Sequence, residues 1–256
     1  MANSDRAQVE RRQQEQLLKM VTKGFYNELV NYGVPRTDIV TIASHLLGHV
    51  SEQEDASRSQ VMDRFYSRIF DLDNVEDQWA VAQRLTVDKS VSLRPFDPAL
   101  AGEVLGWLET PRVRGSFVTS FPADAAGLAA HFGAAGRSYF IIDYHGEAVG
   151  IIGAENIDEH SRRLEMRKLV GRSDLQGMGI GKRATFAFLY WAFRIRDFEK
   201  VYIYSTDVNV RNLNINNQFG FELEGVLLQE LQGEKERLDV VRMGLLRSRW
   251  LNLFAE

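Results

Sequence analysis

Residues Gln176, Gly177, Met178, Gly179, Ile180, Gly181 and Lys182 set three glycines at alternate positions between a strand-like run and a long apolar run of helical character. Without Cβ atoms in the way, backbone N–H groups can converge there, and the positive end of the following helix points at the same spot. That arrangement binds phosphate. A tight strand-to-helix turn with nothing bound is the alternative for a glycine motif standing by itself. Two other nucleotide loops do not fit: the last-glycine spacing of the dinucleotide fingerprint is missing, and no Gly-Lys-Ser/Thr follows as a P-loop requires. His45 and His49 stand four apart on an expected helix, a spacing that can hold a metal. Leu46 takes the place of a zinc protease's glutamate and no third ligand is evident, so the pair reads as helix surface and no metal is expected. The aromatic run Phe186, Phe188, Tyr190, Trp191 and Phe193 reads as a helix buried against a sheet rather than a binding stripe.

The elements around the glycine loop follow from periodicity. Residues 9–32 carry Leu17, Leu18, Val21, Phe25 and Leu29 at helical spacing, and Gly33, Val34 and Pro35 stop the pattern. A second helix is expected from about 37 to 51, a loop or link over 51–59, and a third helix through Val61, Met62, Phe65, Ile69 and Phe70. Asp73 with Glu76 three residues on looks like the capping start of a fourth, carrying Val75, Trp79 and Ala82. After Thr86 the pattern changes. Strands are expected at 91–96, 139–144, 148–154, 163–170 and 200–206, with a hairpin turn at His145, Gly146 and Glu147. Helices are expected at 99–108, 182–196 and 210–218, and a last hairpin through 221–228 and 240–246. Strands interleaved with helices predict an α/β or α+β fold around one mixed sheet, preceded by an all-helical extension over 1–86.

The loop and three further segments resemble the GNAT acetyltransferase superfamily. Its cofactor loop has the pattern Gln/Arg-x-x-Gly-x-Gly/Ala, matched here from Gln176 to Gly181. Residues 165–171 resemble its fourth strand, and Asn209, Val210, Arg211, Asn212 and Leu213, followed by Gln218, Phe219, Gly220 and Phe221, resemble its Asn-x-Arg-Ala-Ile…Leu-Gly-Phe segment. With Leu93, Arg94, Pro95 and Phe96 the match keeps the family's element order from about Val91 to Trp250, most resembling the ribosomal-protein N-terminal acetyltransferases and their small-molecule relatives. The resemblance implies a mostly antiparallel sheet flanked by helices over 87–256, with acetyl-CoA as co-substrate. Backbone N–H groups of Gln176 to Lys182 would hold the pyrophosphate, Leu169 and Val170 would pair with the pantetheine arm, and Asn209 would contact the cofactor. Lys182 or Arg183 could reach phosphate oxygens, or simply form a solvated first helical turn. Arg211 reads as structural.

The same resemblance implies direct acyl transfer to a primary amine of a small molecule, such as an amino sugar, or of a protein N-terminus. Glu165 stands where many relatives keep a glutamate and is nominated as base or ammonium anchor; the alternative is an edge-strand surface residue paired with Arg163 or Arg167. Where relatives keep an acidic tyrosine this chain has Asn216, whose amide can donate to the thioester sulfur but not protonate it. An acyl-CoA-binding regulatory module with little turnover is the competing reading. Trp107, Arg112, Arg114 and Phe117 are candidates for shaping the acceptor pocket. The balance of 31 Lys and Arg against 35 Asp and Glu gives a formal charge of −4, which disfavours a polynucleotide partner. Zero cysteines remove disulfides, thiolate nucleophiles and Cys-ligated metals. The polar first ten residues and the lack of a long apolar run lead to the expectation of a cytoplasmic protein without a membrane partner, its N-terminal helices serving for docking or dimerisation.

Overall fold

The structure, a computed structural model, describes residues 2–35, 38, 74–86, 88–110, 113, 121–206, 216, 219–233 and 237–254. Helix α1 (Ala2–Asn31) is followed, beyond a segment outside that description, by α2 (Val75–Ala82), β1 (Leu85–Thr86), β2 (Val91–Pro95), α3 (Ala101–Leu108) and α4 (Ala125–Phe132). Then come β3 (Ser138–Tyr144), β4 (Glu147–Asp158), β5 (Arg163–Val170), α5 (Ile180–Tyr190), β6 (Lys200–Thr206), β7 (Glu222–Gln232), β8 (Arg237–Leu246) and α6 (Arg247–Phe254). The helices expected near 37–51, 61–70 and 210–218, and with them His45, His49, Arg112, Arg114, Phe117, Asn209 and Arg211, lie outside the described residues. No helix among the described residues is long and apolar enough to cross a membrane.

Eight strands form one sheet in the order β1-β2-β3-β4-β5-β6-β8-β7. Every neighbouring pair is antiparallel except β5 and β6, which run parallel. Strand β3 shows how the sheet is covered. Tyr139 and Ile141 point to one face, Phe140 and Ile142 to the other, and all four are buried, so helices must cover both sides. On one face α5, the helical turn Trp191–Ile195 that continues it, and α2 pack Phe186, Phe188, Trp191 and Val75 against Leu93, Phe140 and Ile142. On the other, α3 and α4 set Val104, Trp107, Leu128 and Phe132 against Tyr139, Ile141, Ile151 and Leu169. Phe186, Phe188, Tyr190, Trp191 and Phe193 are thus core, as the pattern of a helix buried all round requires.

Three local expectations need correction. Helix α2 begins after Asn74, which sits in the left-handed region at φ 63° and makes no side-chain cap bond. Asp73 lies outside the described residues, and Glu76 accepts from Tyr190 OH of α5 at 3.2 Å. Second, α4 was not visible in the periodicity, since it is short and rich in alanine; its one signal is Asp124, whose carboxylate accepts from Gly127 N at 2.8 Å. Third, β5 is not an edge strand, because β4 and β6 flank it.

The segment just before the expected boundary at residue 86 contributes to the sheet and its core. Thr86 and Leu85 pair with β2, Val75 is 1% exposed, and Trp79 meets Phe140 and Trp191 edge-on at 5.9 and 6.4 Å. Arg84 donates to the buried Asp143 at 2.9 Å. We propose that the folding unit begins before Val75. Deleting residues 1–84 is then expected to cost about 3–5 kcal/mol, the range for a large core truncation, because it removes the buried Val75 and the partly buried Trp79 together, whereas deletion of 1–73 leaves these contacts in place. Thermal melts of the two truncations test this, and equal stability would restore a boundary at 86.

Candidate active site

Strands β5 and β6 pair only at Arg163 with Lys200, Leu164 with Val201 and Glu165 with Tyr202. Beyond Glu165 the strands part, while the other edge of β5 stays paired with β4 as far as Val170. The stretch 166–170 therefore turns one backbone edge toward a wedge in the sheet, and its unpaired groups need partners there. Leu169 faces α3 and α4 and Val170 packs toward α5. The glycine loop leaves β5 at the mouth of this wedge.

After a short turn at Ser173–Leu175, Gly177 and Gly179 adopt φ values of 94° and 78°, in the left-handed region where a Cβ is penalised. Gly179 caps α5, and Lys182 N and Arg183 N both donate to its carbonyl at 3.1 Å. That leaves the N–H groups of Ile180 and Gly181, which have no carbonyl within the helix to bond, as donors for an anion. A Cβ on Gly179 would meet only the Arg183 guanidinium at 3.5 Å, so the space over the loop is open. Arg183 is diverted from the phosphate role considered for it. Its Nη1 donates to Met178 O at 3.0 Å and its Nε pairs with the buried Asp88 at 2.8 Å, pinning the loop to the turn before β2. Lys182 is half-buried, and burial lowers its ammonium pKa. Trp107 packs on the backbone at Gly171, which accounts for it as core.

Glu165 is 1% exposed at the last rung before the strands part. Asn156 Nδ2 donates to its Oε2 at 2.8 Å, and Arg167 Nη2 lies 2.6 Å from its Oε1. Arg167 is the ion partner weighed for it, but in a buried site instead of on a surface. Across the rung from Glu165 stands Glu155 of β4, also buried. Arg167 Nε lies 3.2 Å from Glu155 Oε2, Tyr139 OH donates to Oε1 at 2.7 Å, and His131 Nε2 lies 2.9 Å from the same oxygen. Gly153 makes this possible: Tyr139 lies so close over it that a Cβ would come within 2.4 Å of the ring.

The environments push the two carboxyls apart. Burial raises Glu165, against the Arg167 charge and the Asn156 bond. Burial also acts on Glu155, but hydrogen bonds from Tyr139 and His131 and the Arg167 charge outweigh it and hold that group below the ordinary value. Paired carboxyls with opposed shifts are an acid–base signature. Sequence reasoning missed Glu155, Tyr139 and His131, and took Arg167 only as a surface ion partner of Glu165. The legible signals were a glutamate inside an otherwise apolar run and an arginine two residues past Glu165; His131 offered none.

Asn216 is fully buried, and neither amide atom of its side chain has a partner, while its carbonyl accepts from Phe219 N at 3.0 Å and Phe221 N at 3.2 Å. An orphaned buried amide wants a polar ligand atom, which an amide or sulfur of a cofactor would supply. Lys168, on the α5 face of β5, donates to Thr185 Oγ1 at 2.7 Å, which donates in turn to Gly181 O at 2.7 Å. Burial pushes Lys168 from 10.5 down to about 8. Between those values the unfolded chain binds more protons, so stability rises with pH through that window, and below it the charged ammonium costs roughly 3 kcal/mol. Lys168→Met is expected to raise Tm at pH 7, with a gain that shrinks above pH 8. A lower Tm at pH 7 would show that the Thr185 bond outweighs burial.

A mixed sheet that parts beside a glycine-capped helix defines a fold class, and comparison with known proteins agrees. The acetyltransferase (GNAT) domain model matches residues 90–222, and the chain belongs to that family. It is 24% identical over 112 residues to the spermidine N(1)-acetyltransferase of Escherichia coli strain K12, covering 44% of this chain and 60% of that enzyme. To the spermidine N(1)-acetyltransferase of Vibrio cholerae serotype O1 it is 25% identical over 116 residues, 45% of this chain and 66% of the relative. The chain thus spans less than two thirds of these curated relatives. The crystal structure of the Vibrio cholerae spermidine N-acetyltransferase in complex with CoA and spermine matches with a TM-score of 0.59 at 19% identity, over 64% of this chain and 99% of that one, which establishes the fold.

Proposed function

We propose that the chain transfers the acetyl group of acetyl-CoA directly to a primary amine. The observation that carries this is the wedge between β5 and β6, bounded by the glycine cap of α5 at its mouth and the buried Glu165 at its apex. Acetyl-CoA supplies an activated acyl group. The loop from Gln176 to Lys182 holds its pyrophosphate on the N–H groups of Gly177, Gly179, Ile180 and Gly181, since those of Gln176, Met178 and Lys182 bond the carbonyls of Ser173, Leu175 and Gly179; its pantetheine arm runs along Leu169 and Val170, with a further contact at Asn209. Glu165, raised by burial, accepts the proton that the acceptor ammonium must lose before it attacks. Asn216 donates its amide to the departing sulfur; with an ordinary thiol pKa of about 8.5, the thiolate leaves without an acid.

The spermidine acetyltransferase relatives support a small-molecule amine over a protein N-terminus, and so weigh against the ribosomal-protein branch. The Vibrio cholerae enzyme has a dodecameric structure, which supports oligomerisation of this chain without bearing on its N-terminal helices. Asn216 in place of an acid favours one other reading, a CoA-binding module with little turnover. Free-thiol release from acetyl-CoA across a panel of primary amines, with the acetylated product identified by mass, tests the proposal. CoA binding without release for any amine would favour the module.

A further inference from the structure

Arg242 of β8 shares a sheet face with Glu165. Glu165 pairs with Tyr202, Tyr202 with Gly244, and Tyr204 with Arg242, and residues paired across strands project to the same side. The Arg242 guanidinium lies 4.3 Å over the Tyr202 ring and 5.5 Å from that of Tyr204. Its Nε donates to Glu224 Oε2 at 3.0 Å and its Nη1 to Tyr204 OH at 3.2 Å. Glu224 lies directly over Gly244, where a Cβ would come within 2.2 Å of its Oε1, and it is also paired with Lys200. Stacking and a carboxylate thus fix the guanidinium from two sides, leaving Nη2 without a hydrogen bond among the described residues and the side chain 27% exposed. The Arg242 charge acts on Glu165, and the Glu165 charge on Tyr202, so the two sites lie within one field.

The acids of this face are already committed. Glu165 and Glu155 share Arg167, Glu155 also holds His131 and Tyr139, and Glu224 holds Lys200 and Arg242. A polycation approaching Glu165 meets three arginines, Arg167, Arg137 and Arg242, and no spare carboxylate among these groups. An amine that carries its own anion meets complementary charge at both ends. Resting on the acyltransferase reading, we infer that the acceptor is a primary amine bearing a carboxylate or phosphate, with that anion held by Arg242 Nη2 while the ammonium faces Glu165. Arg242 is then a specificity-determining residue.

The test compares amines in matched pairs at saturating acetyl-CoA: tyramine with tyrosine, and an amino sugar with its phosphate monoester, alongside spermidine. In the wild type, the anionic member of at least one pair should exceed its neutral partner in kcat/KM by about tenfold to a hundredfold, the effect of one charged hydrogen bond. Which pair responds identifies the anion. Arg242→Gln should erase the preference through KM with CoA affinity unchanged, and Arg242→Lys, which keeps the charge without the fork, should retain part of it and stands in if the glutamine variant does not fold. Spermidine outperforming every anionic amine, or a preference unaltered in Arg242→Gln, overturns the inference and leaves the acyltransferase reading standing. Undiminished CoA binding with no thiol release for any amine overturns both.

Discussion

Gly179→Glu is expected to abolish CoA binding while leaving the protein folded. The residue caps α5 at φ 78°, and a Cβ there meets nothing nearer than the Arg183 guanidinium at 3.5 Å. Steric exclusion is therefore not the cause; the backbone strain of a non-glycine residue in this region amounts to about 1–2 kcal/mol, which a domain can absorb. The carboxylate, however, would sit at the positive end of the helix, where it is attracted to the same N–H groups and competes with a pyrophosphate for them. Affinity should fall by a factor of a hundred or more, and Gly179→Ala, which adds the strain without the charge, should fall far less. Calorimetric titration with CoA, beside a thermal melt of each variant, decides the matter. Equal affinity in Gly179→Glu and wild type would remove the loop from the cofactor site.

Glu165→Gln should lower turnover by about a hundredfold to ten-thousandfold, the usual contribution of a positioned general base, with CoA affinity near wild type. Because burial raises its carboxyl, wild-type activity should climb as pH rises through a value above the ordinary 4.5 of a glutamate, and the variant should lack that limb. The sign for stability is the reverse. A carboxyl raised in the folded state adds stability fully below its unfolded pKa, and that contribution is lost as pH rises through the folded one. The neutral variant should therefore be no less stable than wild type at pH 7, which separates lost chemistry from lost fold. An unchanged rate across the pH range removes Glu165 from the site, and an unchanged kcat with a raised KM makes it an ammonium anchor and not a base.

Much of the frame was legible locally. The observed strands β5 and β6, Arg163–Val170 and Lys200–Thr206, coincide with those expected at 163–170 and 200–206. The turn at His145 and Gly146 was legible because both take positive φ, 51° and 88°, as a two-residue hairpin loop demands. The glycine loop was the clearest signal, since alternate glycines before an apolar helix have few other physical uses. Such features depend on residues within a few positions of one another, so the order of residues specifies them.

The site itself was decided at long range. Periodicity marks β5 as a strand but cannot say that its pairing with β6 stops at Glu165, because that depends on how two helices and two sheet halves pack around the parting strands. It cannot place Glu155 across from Glu165 either, nor bring His131 from α4, twenty-four residues away, to the same carboxylate. Arg183 looked as available to phosphate as Lys182 until the turn before β2 presented Asp88 to it. Arg242 gave no sign of function in the chain, and becomes a candidate only because β8 inserts between β6 and β7 and lays it over Tyr202. Sequence determined the glycine loop and the elements around it through local backbone preference; the tertiary structure alone decided which charges meet in the wedge, because burial and strand pairing join residues that local patterns treat as independent.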